Sequence, residues 1–378
     1  MKKISMDDFT HVESFLPVKE VKDNLRRYWE NELIQFTLRP YLKKCLANLP
    51  KGQGLRILEI GVGPRDAYRL LTQIPAQASS LDLDVEYVVQ PGQISLYLGI
   101  DPEYDWVERA NEIHRYDKRV RFIRADFERG IGILKQAEAP FDLYFSKFGS
   151  LSQLHEDALK RFLIDTCEHA RPHSLLFLDF KGEYAVRNHS LEYTKCWSAR
   201  AIQSLLEEVK AESGVGLKTL KILDRTLLVG YPDEAEQPKA LNMRKAVNRL
   251  LQKDVRTDLK SLLVPPHFGQ ALAKQSVREF FHYLGTCWNI LVQYAEHRLQ
   301  CETPPQHVAS WEQMPPSLQF GLLTLDRIIR DTQWMAYGDR RANLIEPHLA
   351  YALRSLEYEL QVGLGCGEDL CVVLEVQA

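Results

Sequence analysis

The sequence has no excess of charge of either sign and no long apolar run. Its 48 basic and 51 acidic residues among 378 give a formal net charge of −3. A phosphate backbone is held by an excess of positive charge, so a nucleic acid is not favoured as the substrate. No apolar stretch approaches the roughly 18 residues that a membrane-spanning helix needs. We therefore predict no membrane segment and no signal peptide.

Paired cysteine motifs are also missing. The seven cysteines are scattered and include no Cys-x-x-Cys pair. This pattern favours reduced thiols in a cytoplasmic protein and argues against a structural zinc site, so no metal is expected. Internal repeats and low-complexity segments are absent as well, which leaves local motifs as the guide to function.

A glycine turn follows a strongly apolar segment early in the chain. Residues 55–60 are typical of a parallel strand that is buried on both faces. Gly61 and Gly63 come next and allow positive φ angles, and Pro64 precedes a helical pattern. A strand, a glycine turn and a helix in this order are typical of a cofactor site at the carboxyl end of a sheet.

The turn does not match two common phosphate-binding loops. A dinucleotide fingerprint has a third glycine where this chain has Asp66, and a carboxylate there would repel a pyrophosphate. A Walker-type loop ends in Gly-Lys-Ser/Thr, which is missing. The acid Glu59 before the turn favours a ligand that has positive charge and no phosphate. S-adenosylmethionine, with its sulfonium and ammonium groups, is such a ligand.

At this turn the sequence resembles the class I S-adenosylmethionine-dependent methyltransferases, whose first motif is an acid two residues before Gly-x-Gly. Many members have a further glycine where this chain has Arg65. The resemblance implies an α/β fold with a seven-stranded Rossmann-like sheet, helices on both faces and S-adenosylmethionine as cofactor.

Acids end the next strand patterns in the family's order. A carboxylate at Asp101, beside Pro102, can accept both ribose hydroxyls. In the family, an acid at the position of Asp126 takes the adenine amino group, and the neighbouring Phe127 lies against the ring; alternatively, Asp126 only caps the following helix. Ser146 ends the fourth strand. The expected cofactor-binding residues are Glu59, Gly61, Gly63, Asp101, Pro102, Asp126, Phe127 and Ser146.

The methyl acceptor would lie above the ends of the fourth and fifth strands. His155 is the most natural base there near neutral pH, or it sits at the solvated start of a helix. Lys181 and Glu183 orient a polar acceptor or pair with each other. We expect catalytic roles for these three residues. The balanced charge and an aromatic N-terminal segment favour a small-molecule acceptor.

Three parts are predicted along the chain. Residues 1–48 are predicted to be helical from Lys19 to Leu46, with a break at Pro40, and to form either a lid over the cofactor or a helix packed on the sheet. Residues 49–234 form the methyltransferase domain, which ends in an antiparallel hairpin of residues 217–223 and 226–231 and is complete by about residue 232.

The third part, residues 235–378, is mostly helical and follows a polar linker. Its last segment, residues 370–376, is a strand that pairs with residues 358–364 or adds to a sheet edge. This domain covers the active site, builds a homodimer or binds a partner; the sequence leaves these roles open.

The leading hypothesis is an enzyme that transfers a methyl group to a small molecule by in-line displacement. The alternatives are a protein or RNA methyltransferase, and a non-catalytic, partner-binding protein on the same scaffold. An aminopropyl transferase would need an acid at the end of the fourth strand, where Ser146 and Lys147 stand instead.

Overall fold

In the computed structural model, the chain folds into two compact units. The first comprises Ile34–Asp233 and Gly363–Ala378, and the second comprises Met1–Leu33 and Glu234–Val362. The residues that the structure describes are 31–64, 66–76, 86–147, 149–182, 195–225, 259, 263, 275–300, 311–336, 340–360 and 369–377.

A seven-stranded sheet forms the centre of the first unit. Its strands are β1 (Leu55–Ile60), β2 (Ile94–Asp101), β3 (Val120–Arg124), β4 (Leu143–Ser146), β5 (Leu175–Lys181), β6 (Leu217–Arg225) and β7 (Asp369–Val376). The spatial order is β3-β2-β1-β4-β5-β7-β6. The strands from β3 to β5 are parallel to their neighbours, whereas β7 is antiparallel to both β5 and β6. The predicted α/β, seven-stranded Rossmann-like sheet is therefore confirmed.

The seventh strand comes from the C-terminal end of the chain, not from a hairpin near residue 232. In β7, Val373 lies opposite Phe177 of β5 and Lys221 of β6. The predicted hairpin partner, residues 226–231, lies outside the described residues. The prediction that the sheet is complete by residue 232 is wrong, and β7 does not lie at an edge. Its apolar side chains are buried, as expected for a strand with a neighbour on each side.

Among the described residues, six helices accompany the sheet, the first of which begins three residues before this unit does. They are α1 (Asn31–Asn48), α2 (Tyr68–Thr72), α3 (Tyr104–Ile113), α4 (Gly132–Ala137), α5 (Glu156–His169) and α6 (Ala199–Ser213). In α1, Ile34, Leu38 and Leu42 are buried in one core cluster with strand residues. The helix continues through Pro40, so the predicted break there is wrong. Packing of the apolar residues on both sides of Pro40 holds the helix together despite the missing backbone hydrogen bond.

The described part of α1 thus agrees with the alternative of a helix packed on the sheet, while residues 1–30 of the predicted lid lie outside the described residues. None of the described helices is both long enough and apolar enough to cross a membrane.

In the second unit, three helices pack against one another: α7 (Gln275–Gln300), α8 (Pro316–Asp331) and α9 (Glu346–Leu360). A Cβ atom on Gly321 of α8 would lie 3.1 Å from Leu291 and 3.2 Å from Ala352. The small residue therefore lets α8 approach both neighbours closely. The buried side chain of Arg298 forms an ion pair with Asp326, at an N–O distance of 2.7 Å.

Candidate cofactor-binding site

The loop between β1 and α2, residues 61–67, is called the glycine loop below; residue 65 is not described. Gly61 and Gly63 have φ angles of +75° and +61°, a region that favours glycine. A Cβ atom on Gly61 would lie 2.5 Å from Oγ of Ser150, whereas a Cβ atom on Gly63 would have no described atom within 4 Å. The loop is therefore packed at Gly61 and open at Gly63.

Asp101 fixes the open part of the glycine loop to the end of β2. Its Oδ2 accepts a hydrogen bond from the Gly63 backbone nitrogen at 2.9 Å, and its Oδ1 accepts one from the Glu103 nitrogen at 2.9 Å. Each carboxylate oxygen has a second lone pair, so the group can also accept hydrogen bonds from ligand hydroxyls. The structure thus places Asp101 next to Gly63, and the ribose contact stays a prediction.

Glu59 lies behind the glycine loop and is fully buried. Its Oε1 accepts a hydrogen bond from the Ala67 nitrogen at 3.0 Å and forms an ion pair with Lys147. Its Oε2 accepts a hydrogen bond from the Tyr97 hydroxyl at 2.6 Å. Burial raises the pKa of the Glu59 carboxyl, and the ammonium of Lys147 opposes that rise. A ligand cation would compete with three protein donors here, so the predicted ligand contact of Glu59 stays a prediction.

Tyr97 and Lys147 complete this network, and neither is among the site residues predicted from the sequence. In the parallel pairing of β1 and β2, Tyr97 lies opposite Ile57 and Gly99 lies opposite Glu59. Side chains two residues apart in a strand point to the same face of the sheet, so Tyr97 and Glu59 lie close together on one face. Burial, followed by the charge of Glu59, raises the pKa of Tyr97 well above its usual value. A lysine is rarely buried unless an acid pairs with it. The partner of Lys147 is known only from the fold, so the sequence alone does not indicate that Lys147 is buried.

Asp126 and Phe127 lie just beyond the end of β3. The Asp126 side chain accepts a hydrogen bond from the Glu128 nitrogen at 3.1 Å and caps a short 3₁₀ turn, which agrees with the capping alternative. Its carboxylate is about half exposed and lies 3.5 Å from Nε of Arg129. The ring of Phe127 is buried against Phe162, with 6.3 Å between centroids. Contacts of these residues with an adenine stay predictions.

Ser146 and Pro102 have contrasting surroundings. Ser146 is fully buried at the end of β4, and its Oγ has no hydrogen-bond partner in the described part of the chain. An unpaired buried hydroxyl costs free energy, so a polar group bound there would be stabilised. Pro102 is exposed, and its carbonyl accepts a hydrogen bond from Nε of Arg124 at 3.0 Å.

Two of the three predicted catalytic residues, His155 and Lys181, lie within the described part of the chain. His155 is exposed at the position before α5, as in the alternative of a solvated helix start. Lys181 is half-buried at the end of β5, and its backbone nitrogen donates to Oγ of Ser152 at 2.7 Å. Glu183 lies outside the described residues. Their roles in catalysis stay predictions.

The residues at this sheet edge fit S-adenosylmethionine on its nucleoside side. Gly63 leaves room for close approach of a ligand, and each Asp101 carboxylate oxygen can accept a further hydrogen bond. Among the described residues, the Ser146 hydroxyl has no partner. The charged side chain that accepts from the Gly63 nitrogen is an acid, which would repel a phosphate. Within the described ranges, no group of three His, Cys, Asp or Glu side chains is arranged to hold a metal ion.

No protein-family model matches the sequence, and no curated protein sequence matches it. Similar folds occur among solved structures. A methyltransferase from Clostridium acetobutylicum is 13% identical, with a TM-score of 0.35, over 58% of this chain and 90% of its own. The 1,6-didemethyltoxoflavin-N1-methyltransferase of Burkholderia thailandensis is 16% identical, with a TM-score of 0.32, over 59% and 84%. A TehB-like methyltransferase from Corynebacterium glutamicum is 17% identical, with a TM-score of 0.31, over 48% and 76%.

The strand order and the antiparallel β7 define a seven-stranded, Rossmann-like α/β fold. Fold alone does not determine substrate, which has to be argued from the site.

Proposed function

We propose that the protein is an S-adenosylmethionine-dependent methyltransferase that acts on a small-molecule acceptor. The observation that supports this most directly is the contact between the Gly63 nitrogen and the Asp101 carboxylate. It joins an open glycine position and an acid with spare acceptor capacity at the carboxyl edge of a parallel sheet, where ligands of open α/β folds bind.

The chain's own residues would act by binding and orientation. Asp101 would accept the ribose hydroxyls, and Gly63 would let the backbone approach the ligand. When bound, S-adenosylmethionine supplies an electrophilic methyl carbon. Transfer from it depends mainly on holding the acceptor in line with that carbon at near-attack distance, and a base is needed only if the acceptor must first lose a proton.

The small-molecule acceptor is the finer part of the proposal. The net charge of −3 supports it, because nucleic-acid substrates favour a marked excess of basic residues. An aminopropyl transferase is less well supported, since β4 ends in Ser146 and is followed by a buried lysine instead of an acid.

Calorimetric titration with S-adenosylmethionine and S-adenosylhomocysteine tests the cofactor. We expect micromolar binding that Asp101→Ala weakens by about tenfold to a hundredfold, since a hydrogen bond to a charged group contributes roughly 1.5–3 kcal/mol. Asp105→Ala is the matched control, because Asp105 is an exposed acid in the first turn of α3. Absence of binding by the unaltered protein would contradict the proposal and favour a partner-binding protein on this scaffold.

Radiolabelled methyl transfer to fractionated cell extract tests the acceptor. Label that appears only in the small-molecule fraction would support the proposal. Label in the protein or RNA fraction would keep the methyltransferase assignment and overturn the acceptor class.

A further inference from the structure

The ammonium group of Lys147 lies beneath the glycine loop, in a position that reaches both of its ends. Lys147 follows β4 and is only 3% exposed. Its Nζ donates a hydrogen bond to the carbonyl oxygen of Val62 at 3.2 Å and forms an ion pair with Glu59. Glu59 in turn accepts a hydrogen bond from the Ala67 nitrogen at 3.0 Å. Lys147 thus contacts the start of the loop directly and its end through Glu59.

The same ion pair balances charge in a region without solvent. Glu59 is fully buried, and a buried carboxylate without a cation is strongly unfavourable. Tyr97 donates to the other carboxylate oxygen but carries no charge. Compensation of the Glu59 charge therefore falls mainly to Lys147, which also makes the contact with Val62.

The part of the loop between these two anchors is the part that faces the proposed ligand. Gly63 lies between Val62 and Ala67, and its nitrogen donates to Asp101. A shift of Val62 would move the neighbouring Gly63 and alter that contact. The position of Gly63 relative to Asp101 thus depends on the side chain of Lys147, which is buried behind the loop.

We propose that Lys147 is a positioning residue that holds the glycine loop in its binding conformation through the Val62 carbonyl and Glu59. The role in ligand binding rests on the proposed function; the role in loop order does not. Lys147 would affect ligand affinity indirectly, through the position of Gly63 and Asp101 at the nucleoside. A loss of affinity on its replacement would therefore not depend on the amino-acid part of the cofactor.

The first experiment compares Lys147→Met with the unaltered protein for two ligands. S-adenosylhomocysteine carries the amino-acid part, and 5′-methylthioadenosine lacks it. We expect the affinity for both to fall by a similar factor, about tenfold or more. A loss confined to S-adenosylhomocysteine would show a direct contact between Lys147 and the ligand and would overturn the proposal.

The double variant Glu59→Gln/Lys147→Met separates loop positioning from charge balance. It removes both buried charges together, so we expect it to regain much of the thermal stability that Lys147→Met loses. The Val62 carbonyl is still without its lysine, so we expect the ligand affinity to remain low. Recovery of affinity together with stability would show that Lys147 only neutralises Glu59, which would overturn the proposal. If Lys147→Met does not fold, the affinities for S-adenosylhomocysteine and 5′-methylthioadenosine are compared in the double variant instead.

Amide hydrogen exchange without ligand makes the test independent of the proposed function. We expect faster exchange at the Gly63 and Ala67 amides in both variants. Lys135→Met is the matched control, because Lys135 pairs with Asp165 and Glu168 away from the loop. If the unaltered protein binds neither ligand, the proposed function fails, and amide exchange alone tests the role of Lys147 in loop order. Unchanged protection of the Gly63 and Ala67 amides in the two variants would overturn that role.

Discussion

The backbone nitrogen of Gly63 lies 2.9 Å from Oδ2 of Asp101, so the glycine loop after β1 and the acid that ends β2 are joined directly. The other oxygen of the same carboxylate holds the Glu103 nitrogen at the start of α3. Asp101 therefore supports the local backbone as well as the proposed ligand. Stability and affinity should be measured on the same preparations of any variant at this edge of the sheet.

Gly63→Ala should reduce ligand affinity more than stability. The φ of +61° makes alanine strained by about 1–2 kcal/mol, but no described atom lies within 4 Å of the added methyl group. The methyl group would occupy space that the ligand needs, so we expect about a tenfold or larger loss of affinity for S-adenosylhomocysteine. Gly214→Ala is the control, because Gly214 has a φ of +69° and equally open surroundings at the C-cap of α6. Equal affinities of the two variants would argue against a ligand at Gly63.

Gly61→Ala should mainly destabilise the fold. Its Cβ atom would lie 2.5 Å from Oγ and 2.6 Å from Cβ of Ser150, in addition to the strain at a φ of +75°. We expect a loss of about 2–4 kcal/mol in the free energy of unfolding, measured with urea. Ser150→Gly in the same chain removes both of the close atoms and should restore part of that loss. If the second substitution restores nothing, the steric explanation is incorrect.

The strands up to β5 could be predicted because each has a local signal. Apolar runs that end in a glycine or an acid mark β1, β2 and β3, and the structure places these strands as neighbours in the sheet. The pairing of β7 with β5 and β6 has no such signal. Residues 226–368 separate β6 from β7, and an apolar strand pattern does not show which strands it will pair with.

The candidate site could be predicted only in part for a similar reason. Glycines and acids at strand ends can be recognised by type and spacing, which located Gly63 and Asp101. The burial of Lys147 depends on Glu59, 88 positions away, and on a backbone carbonyl that no residue type signals. The direction of a side chain and the competition for its hydrogen bonds are properties of the tertiary structure.

Asp66 should stabilise the fold at neutral pH and lose that effect in acid. Burial raises the pKa of Asp66, but His114 and the charge of Lys147 lower it to below the ordinary value. Nε2 of His114 lies 3.1 Å from Oδ2 of Asp66. A carboxyl with a lowered pKa in the folded state contributes fully above its unfolded pKa of about 3.9 and loses the contribution as the pH falls through the folded value.

We therefore expect Asp66→Asn to lower the free energy of unfolding by about 1 kcal/mol near pH 6 and by less as the pH approaches about 3.5. Urea unfolding of both proteins across this range measures the difference. Asp105→Asn, at an exposed site, should show no such trend. A difference that stays constant with pH would exclude an ionised Asp66 as the source.

Removal of the C-terminal strand should prevent the sheet unit from folding. Because β7 lies between β5 and β6, its loss leaves two strand edges unpaired and exposes the apolar surface that Val372, Val373 and Leu374 cover. We expect a chain of residues 34–233 alone to show no cooperative urea transition. The same chain joined to residues 363–378 by a flexible linker should unfold cooperatively, because it restores both pairings of β7. A cooperative transition in the shorter chain would mean that β5 and β6 can pair without β7, and that the C-terminal strand is an addition to the sheet and not one of its central elements.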